Sequence, residues 1–168
     1  MENCCRYVLL IMNPKVRKAT LNDLPTLLEF EQELIKVERP MDPTIKDGKI
    51  SYYDISEFIK SEDSEVYVVE LDNKIVASGY AKIKDDRTYF KHKKQGHLGF
   101  MFVPNAHRGK GLNKLLVDAL LKWCKQKAVF EIRLDVYYEN PSAIKAYEKV
   151  GFKKYMIKMR LNLQDLEN

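Results

Sequence analysis

Cysteine is scarce in this 168-residue chain, which carries only Cys4, Cys5 and Cys124. Two are adjacent, the third falls in a helical pattern, and the count is odd. No disulfide framework follows, and a reducing compartment, the cytoplasm, is expected. Histidine is equally sparse. His92, His97 and His107 lack metal-ligand spacing and no C-x-x-C pair exists, so no metal is expected. No run approaches the ~18 apolar residues of a membrane span. Val8 to Met12 is too short for a signal-peptide core, and no small-residue cleavage site follows it. Seven glycines and six prolines leave no linker and no repeat period.

Apolar residues make up 45% of the chain and charged residues 32%, enough for one domain with a core that needs neither disulfides nor metal. Twenty-nine basic against 24 acidic residues give +5. That balance suits a phosphate-bearing ligand and is too weak alone to argue for nucleic acid, so neither a nucleic-acid nor a membrane partner is expected. Residues 1–14 read as an N-terminal extension, 15–162 as one α/β domain and 163–168 as a tail. Translation from Met12 is an alternative start, because the first strand-like stretch follows it; the intact mass of the native protein decides between them.

Residues 15–20 read as a strand, and Thr20 or Asn22 can cap a helix running to Lys36. Residues 38–51, with two prolines and a D-G pair, read as a long loop, followed by a short helix at 54–60. Glu65–Leu71 and Ile75–Ile83 alternate as a hairpin about Asp72-Asn73-Lys74. His97–Val103 is a further strand. Gly109 to Lys127 carries an apolar stripe of Leu112, Leu115, Leu116, Ala119, Leu120 and Trp123, so it reads as a helix. Phe130–Tyr137 alternates as a strand. Asn140 and Pro141 open a helix that Gly151 ends, and Phe152–Leu161 reads as a last strand. Strand, helix, strand over 97–137 implies two parallel strands with a right-handed crossover, so the sheet is mixed.

The informative stretch is VPNAHRGKGLNKLL, residues 103–116. A strand stops at Pro104, a turn with two glycines follows, and a helix begins. The first turn of a helix leaves about four N–H groups unpartnered. Gly109 and Gly111 remove side chains that would hold a ligand off. The helix dipole adds roughly half a positive charge, and Arg108, Lys110 and Lys114 add full ones. A diphosphate fits such a site. A Walker loop needs Ser or Thr where Gly111 stands, and a Rossmann fingerprint needs glycine where Lys114 stands. A glycine turn with solvated charges is the plain alternative.

Residues 134–152, LDVYYENPSAIKAYEKVGF, weigh against the plain alternative. Together with residues 103–116 they resemble the GNAT superfamily of N-acetyltransferases. Arg108 and Gly111 match its Gln/Arg-x-x-Gly-x-Gly/Ala signature, with Asn113 standing where a small residue is usual. Asn140, Ala143, Tyr147, Gly151 and Phe152 match the later pattern. The strong resemblance covers residues 97–152. It implies a single-domain GNAT-like α/β fold: a mixed central sheet with two splayed parallel strands and flanking helices.

The resemblance further implies acetyl-CoA as acyl donor and direct attack of a primary amine on the thioester. The pantetheine arm would pair with the backbone of Met101, Phe102 and Val103. The pyrophosphate would sit on the amides of Arg108, Gly109, Lys110, Gly111, Leu112 and Asn113. Asn140, Ala143 and Tyr147 would border the arm from the second motif. Tyr147 takes the general-acid position, its alternative being a core aromatic. The Met101 N–H is the implied oxyanion donor. His97 stands where many relatives carry a Glu base; its alternative is an exposed strand-end residue. Glu31, Glu38, Arg39, Asp42, Tyr52 and Tyr53 are candidates to line the acceptor site for a small-molecule or peptide amine. A catalytically silent CoA-binding or interaction module is the rival reading, and the chain is expected to be a monomer or homodimer.

Overall fold

The computed structural model describes residues 13–166. β2 (Ser64–Leu71) and β3 (Lys74–Asp85) form an antiparallel hairpin. Asp72 and Asn73 take φ of 50° and 59° in its turn. Two consecutive left-handed residues match the twist of the flanking strands, and Asp and Asn tolerate that region better than other side chains. β1 (Lys15–Lys18) adds antiparallel to β2, and β4 (Lys94–Phe102) adds antiparallel to β3. β5 (Ile132–Leu134) pairs parallel with β4, so the order is β1-β2-β3-β4-β5.

Alternation along the strands feeds three buried clusters, one of which joins Val69, Val76 and Ala77 to Leu112 and Leu116. Val66, Val68, Tyr80 and Phe100 face Leu27 and Ile55 of α1 (Leu24–Glu38) and α2 (Ile55–Lys60). Ala81 and Leu98 face α3 (Leu112–Gln126), whose Val117, Leu120, Trp123 and Cys124 are buried. Each fully buried leucine contributes roughly 1.5–3 kcal/mol. The entry to α1 is clamped by Arg17, which bonds Asp23 at 2.8 and 2.9 Å and Glu70 at 2.8 Å. The Arg17 hydrogen bonds hold the Asp23 carboxyl down at about 2. Asp23 also accepts from the Thr20 N–H at 2.7 Å, closing a capping box ahead of a short 3₁₀ turn.

The predicted elements stand with three corrections. The helix expected from Gly109 begins at Leu112. Both glycines precede it with positive φ, 74° and 80°, a conformation outside the right-handed helix. The strand expected over 130–137 is paired only at Ile132–Leu134, because β4 and β5 part beyond that point. The strand expected over 152–161 does not form, and that segment has no regular structure. Its alternation is real, but a strand exists only against a neighbour. Residues 1–12, with the extension and the alternative start, lie outside the described residues.

Candidate active site

Two parallel strands that separate leave main-chain groups facing a gap. β4 and β5 are in register at Gly96, His97 and Leu98 against Ile132, Arg133 and Leu134, and nowhere beyond. At that point β4 also slips against β3: the register shifts between Ser78 and Tyr80, and Phe100 takes a φ of 56°. The Ser78 hydroxyl donates to the Phe100 carbonyl at 3.3 Å. The Met101 side chain turns onto Gly79, where a Cβ would lie 2.5 Å from its sulfur. Only glycine at 79 lets that side chain lie down against the sheet.

Past Val103 the chain makes a 3₁₀ turn (Asn105–His107) and enters α3 without a side-chain cap. Among the described residues the amides of Gly109, Lys110, Gly111, Leu112 and Asn113 have no hydrogen-bond partner. A Cβ built at Gly109 meets nothing within 4 Å, so the space beside that residue is open. Arg108 Nε donates to the Val103 carbonyl at 2.9 Å and fixes the turn. Lys114 pairs with Asp118 at 2.7 Å, which ties one of the three expected charges to the helix flank. Free amides, a helix N-terminus and open space fit a diphosphate.

Opposite the loop stands α4 (Pro141–Val150). Asn140 Oδ1 caps it, accepting from the Ala143 N–H at 3.1 Å and the Ser142 hydroxyl at 3.0 Å. Gly151 ends it with φ 110°. Tyr147 lies half-buried with its ring edge-on to Phe152, centroids 6.0 Å apart. Its hydroxyl makes no hydrogen bond among the described residues. Burial first, and the Glu38 charge second, push its pKa up to about 12. The phenol is therefore a weaker acid than free tyrosine and stays protonated throughout the neutral range.

Glu38 closes α1 and is half-buried; burial first, and the Asp42 charge as a further cause, raise its carboxyl above the ordinary range. Tyr52 opposes that shift: its buried hydroxyl approaches Glu38 without meeting full hydrogen-bond geometry, and burial pushes its own pKa up to about 12. Asp42 accepts from the Thr44 hydroxyl at 2.6 Å and from the Tyr137 hydroxyl at 3.1 Å. Tyr137 was not among the expected acceptor residues. It lies three residues beyond β5, and only the splay swings it onto the loop after α1. Its signal in the sequence was its place at the end of the strand expected over 130–137.

A family model described as the acetyltransferase (GNAT) family matches residues 30–152. This chain belongs to the GNAT family. It is similar to human N-acetyltransferase 8B, with 34% identity over 105 residues, 60% of this chain and 45% of that protein. The chain thus matches less than half the length of that relative. An N-alpha-acetyltransferase of Sulfurisphaera tokodaii is 26% identical over 151 residues, 85% of this chain and 82% of its own. In fold the chain is similar to a predicted acetyltransferase from Clostridium acetobutylicum crystallised with acetyl-CoA. The TM-score is 0.69 at 20% identity, covering 90% of this chain and 97% of that one.

Within this GNAT frame two sequence-selected residues sit away from the gap. His97 lies in the paired part of β4, opposite Lys82 and Arg133. Four residues of strand put it roughly 13 Å from Met101. Burial, then Lys84, lower its pKa, so it is neutral at pH 7. Glu31 does not line an acceptor site: it is 1% exposed and accepts from the Tyr52 and Tyr53 N–H groups at 2.8 and 2.9 Å and from the Ser51 hydroxyl at 2.9 Å. It anchors the loop that presents Tyr52. A cleft of about 510 Å³ is lined by Leu24, Leu28 and residues 51–56, Tyr52 among them.

Proposed function

We propose that this protein is an acetyl-CoA-dependent N-acetyltransferase acting on a primary amine, of a small molecule or of a peptide. The observation that carries the reading is the parting of β4 and β5 immediately before an uncapped, glycine-lined helix entry. A long thin ligand with a diphosphate at one end suits that combination. The amides of Gly109 to Asn113 hold the diphosphate, that of Arg108, expected to join them, being taken by the Asn105 carbonyl at 3.3 Å; the backbone of Met101 to Val103, with Asn140 and Ala143, borders the arm. Acetyl-CoA supplies a thioester carbonyl that the neutral amine attacks directly. The C–N bond forms, the C–S bond breaks, and the amine nitrogen sheds a proton. The Met101 N–H donates to the developing oxyanion, and Tyr147 protonates the departing thiolate. His97, neutral but away from the gap, can take the amine proton only through a chain of waters.

Glu38, Asp42, Tyr52 and Tyr137 favour an acceptor that arrives as an ammonium group, because two carboxylates flank the tyrosines at the mouth. A peptide α-amine is consistent with the name of the Sulfurisphaera relative. The packing of Tyr147 against Phe152 favours a second reading, a CoA-binding module without turnover. Thiol release from acetyl-CoA across a panel of primary amines tests both. Release with cationic amines supports the enzyme. CoA binding by calorimetry without release supports the silent module, and absence of CoA binding removes both.

A further inference from the structure

Between β3 and β4 one residue faces two. Ser78 opposes Phe102 and Tyr80 opposes Gly99, so Gly79 alone spans Phe100 and Met101, and neither of these has a register partner on β3 or on β5. The extra residue puts Gly99 and Phe100 on the same face of the sheet. The Tyr80 ring lies over Gly99, and Phe100 packs into the cluster that holds Tyr80. Phe100 reaches that place with a φ of 56°, in the left-handed region that side chains avoid. Such a conformation persists only where its surroundings hold it.

We infer that Ser78 holds it, as the positioning residue for the Met101 N–H. The inference rests on the reading of that N–H as the oxyanion donor. Ser78 is fully buried, in a run of β3 whose other small residues, Ala77, Gly79 and Ala81, carry no polar side chain. A buried hydroxyl needs a partner. Among the described residues its only one is the Phe100 carbonyl, at 3.3 Å. That carbonyl and the Met101 N–H are the two ends of one peptide unit. The unit is trans and planar, so the ends point in opposite directions. Ser78 draws the carbonyl towards β3, and the N–H is thereby turned to the other side of β4, where β5 has parted.

Gly79 completes the grip. The Met101 side chain lies on it from the α3 face. Two adjacent residues of β3 thus fix the donor, one by the carbonyl that precedes it and one by its side chain. Direction is what matters to the chemistry. A donor already aimed needs no reorganisation when charge develops on the thioester oxygen. Rotation of the same peptide would exchange its ends and set a carbonyl oxygen against that charge. The bond is long for a hydroxyl, so its loss should disturb the rate far more than the fold.

The test labels the methionines with ¹⁵N, six in the chain and few enough to resolve, and follows the Met101 amide by NMR, assigned through Met101→Leu. In the unmodified protein acetyl-CoA should move the Met101 amide proton downfield, and CoA, which has no thioester carbonyl, should not. In Ser78→Ala that response should be lost. Its kcat for the amine that releases most thiol should fall about tenfold, less than the loss of a donor outright, while KM for acetyl-CoA holds. Ser78→Thr keeps the hydroxyl and should keep both response and rate. Ser78→Val has the shape of threonine without the hydroxyl and should lose both, a comparison that stands even if Ser78→Ala disturbs folding. A response and kcat retained in Ser78→Ala or Ser78→Val, or equal behaviour of the Thr and Val variants, overturns the role of Ser78 and leaves the acetyl-CoA reading standing. No response in the unmodified protein with acetyl-CoA bound overturns the assignment of the Met101 N–H, and the role of Ser78 with it.

Discussion

The two flanks of the splayed strands are built from different materials. On the donor flank the working groups are main-chain amides, held by a turn whose two glycines have positive φ. On the proposed acceptor flank they are four side chains from three segments: Glu38 at the end of α1, Asp42 and Tyr52 in the loop after it, and Tyr137 beyond β5. In the proposed reading, backbone donors recognise a group common to every reaction, the diphosphate of the carrier, and need no particular side chain. Side chains recognise what distinguishes one amine from another. A fold that keeps the first and varies the second can hold its chemistry constant while changing its acceptor.

If that division is right, the largest effect comes from filling the donor turn. Gly111 sits at φ 80°, where a side chain costs ~1–2 kcal/mol of strain. Gly111→Glu also sets a carboxylate against phosphates. CoA affinity should fall at least about 100-fold, some 3 kcal/mol, by calorimetric titration. Near-normal affinity in a folded Gly111→Glu variant would refute the loop assignment and erase the contrast. Next comes the residue between the flanks. Tyr147→Phe should lower kcat by about tenfold or more and leave CoA affinity nearly unchanged. An unaltered rate would return Tyr147 to the core with Phe152.

On the acceptor flank, Glu31→Ala leaves the Tyr52 and Tyr53 amides without their acceptor. An orphaned buried donor costs about 1–3 kcal/mol, and each kcal/mol lowers Tm by roughly 2–4 °C in a domain of this size. The loop that carries Tyr52 then loosens, so KM for the amine should rise while CoA binding holds. Equal losses of both substrates would show that the flanks are not separable.

How much was legible follows from the same contrast. Local patterns gave the hairpin, the stripe of α3, the Asn140 cap and the Gly151 stop, because each depends on residues within a few positions. The glycine turn ahead of α3 was legible for the same reason. Glu31 was misread as an acceptor-site candidate because its fate depends on a loop 20 residues away. Tyr137 was missed because its partner Asp42 is 95 residues distant and the splay that joins them is a tertiary event. The segment 152–161 was read as a strand on sound alternation, yet alternation cannot supply the neighbour that a strand requires.

The smallest effect is the most diagnostic of the acceptor flank. Burial raises the Glu38 carboxyl. A carboxyl whose folded pKa lies above its unfolded value binds its proton more tightly when folded. It therefore costs the fold stability once pH passes the unfolded value near 4.3, and the full cost is present above the folded pKa. Glu38→Gln removes the charge and keeps the shape. The variant should have a slightly higher Tm than the parent at pH 7, with the difference fading as pH falls towards 4. Its kcat/KM for a cationic amine should drop by up to about fivefold, as ~1 kcal/mol for a partly exposed charge pair implies, while a neutral-bodied amine of similar size is less affected. A residue kept at a cost to stability, and missed only by the charged acceptor, is held for binding. If Glu38→Gln is less stable at pH 7, or discriminates between the two amines no differently from the parent, Glu38 is a helix-end residue and the acceptor's charge is read elsewhere.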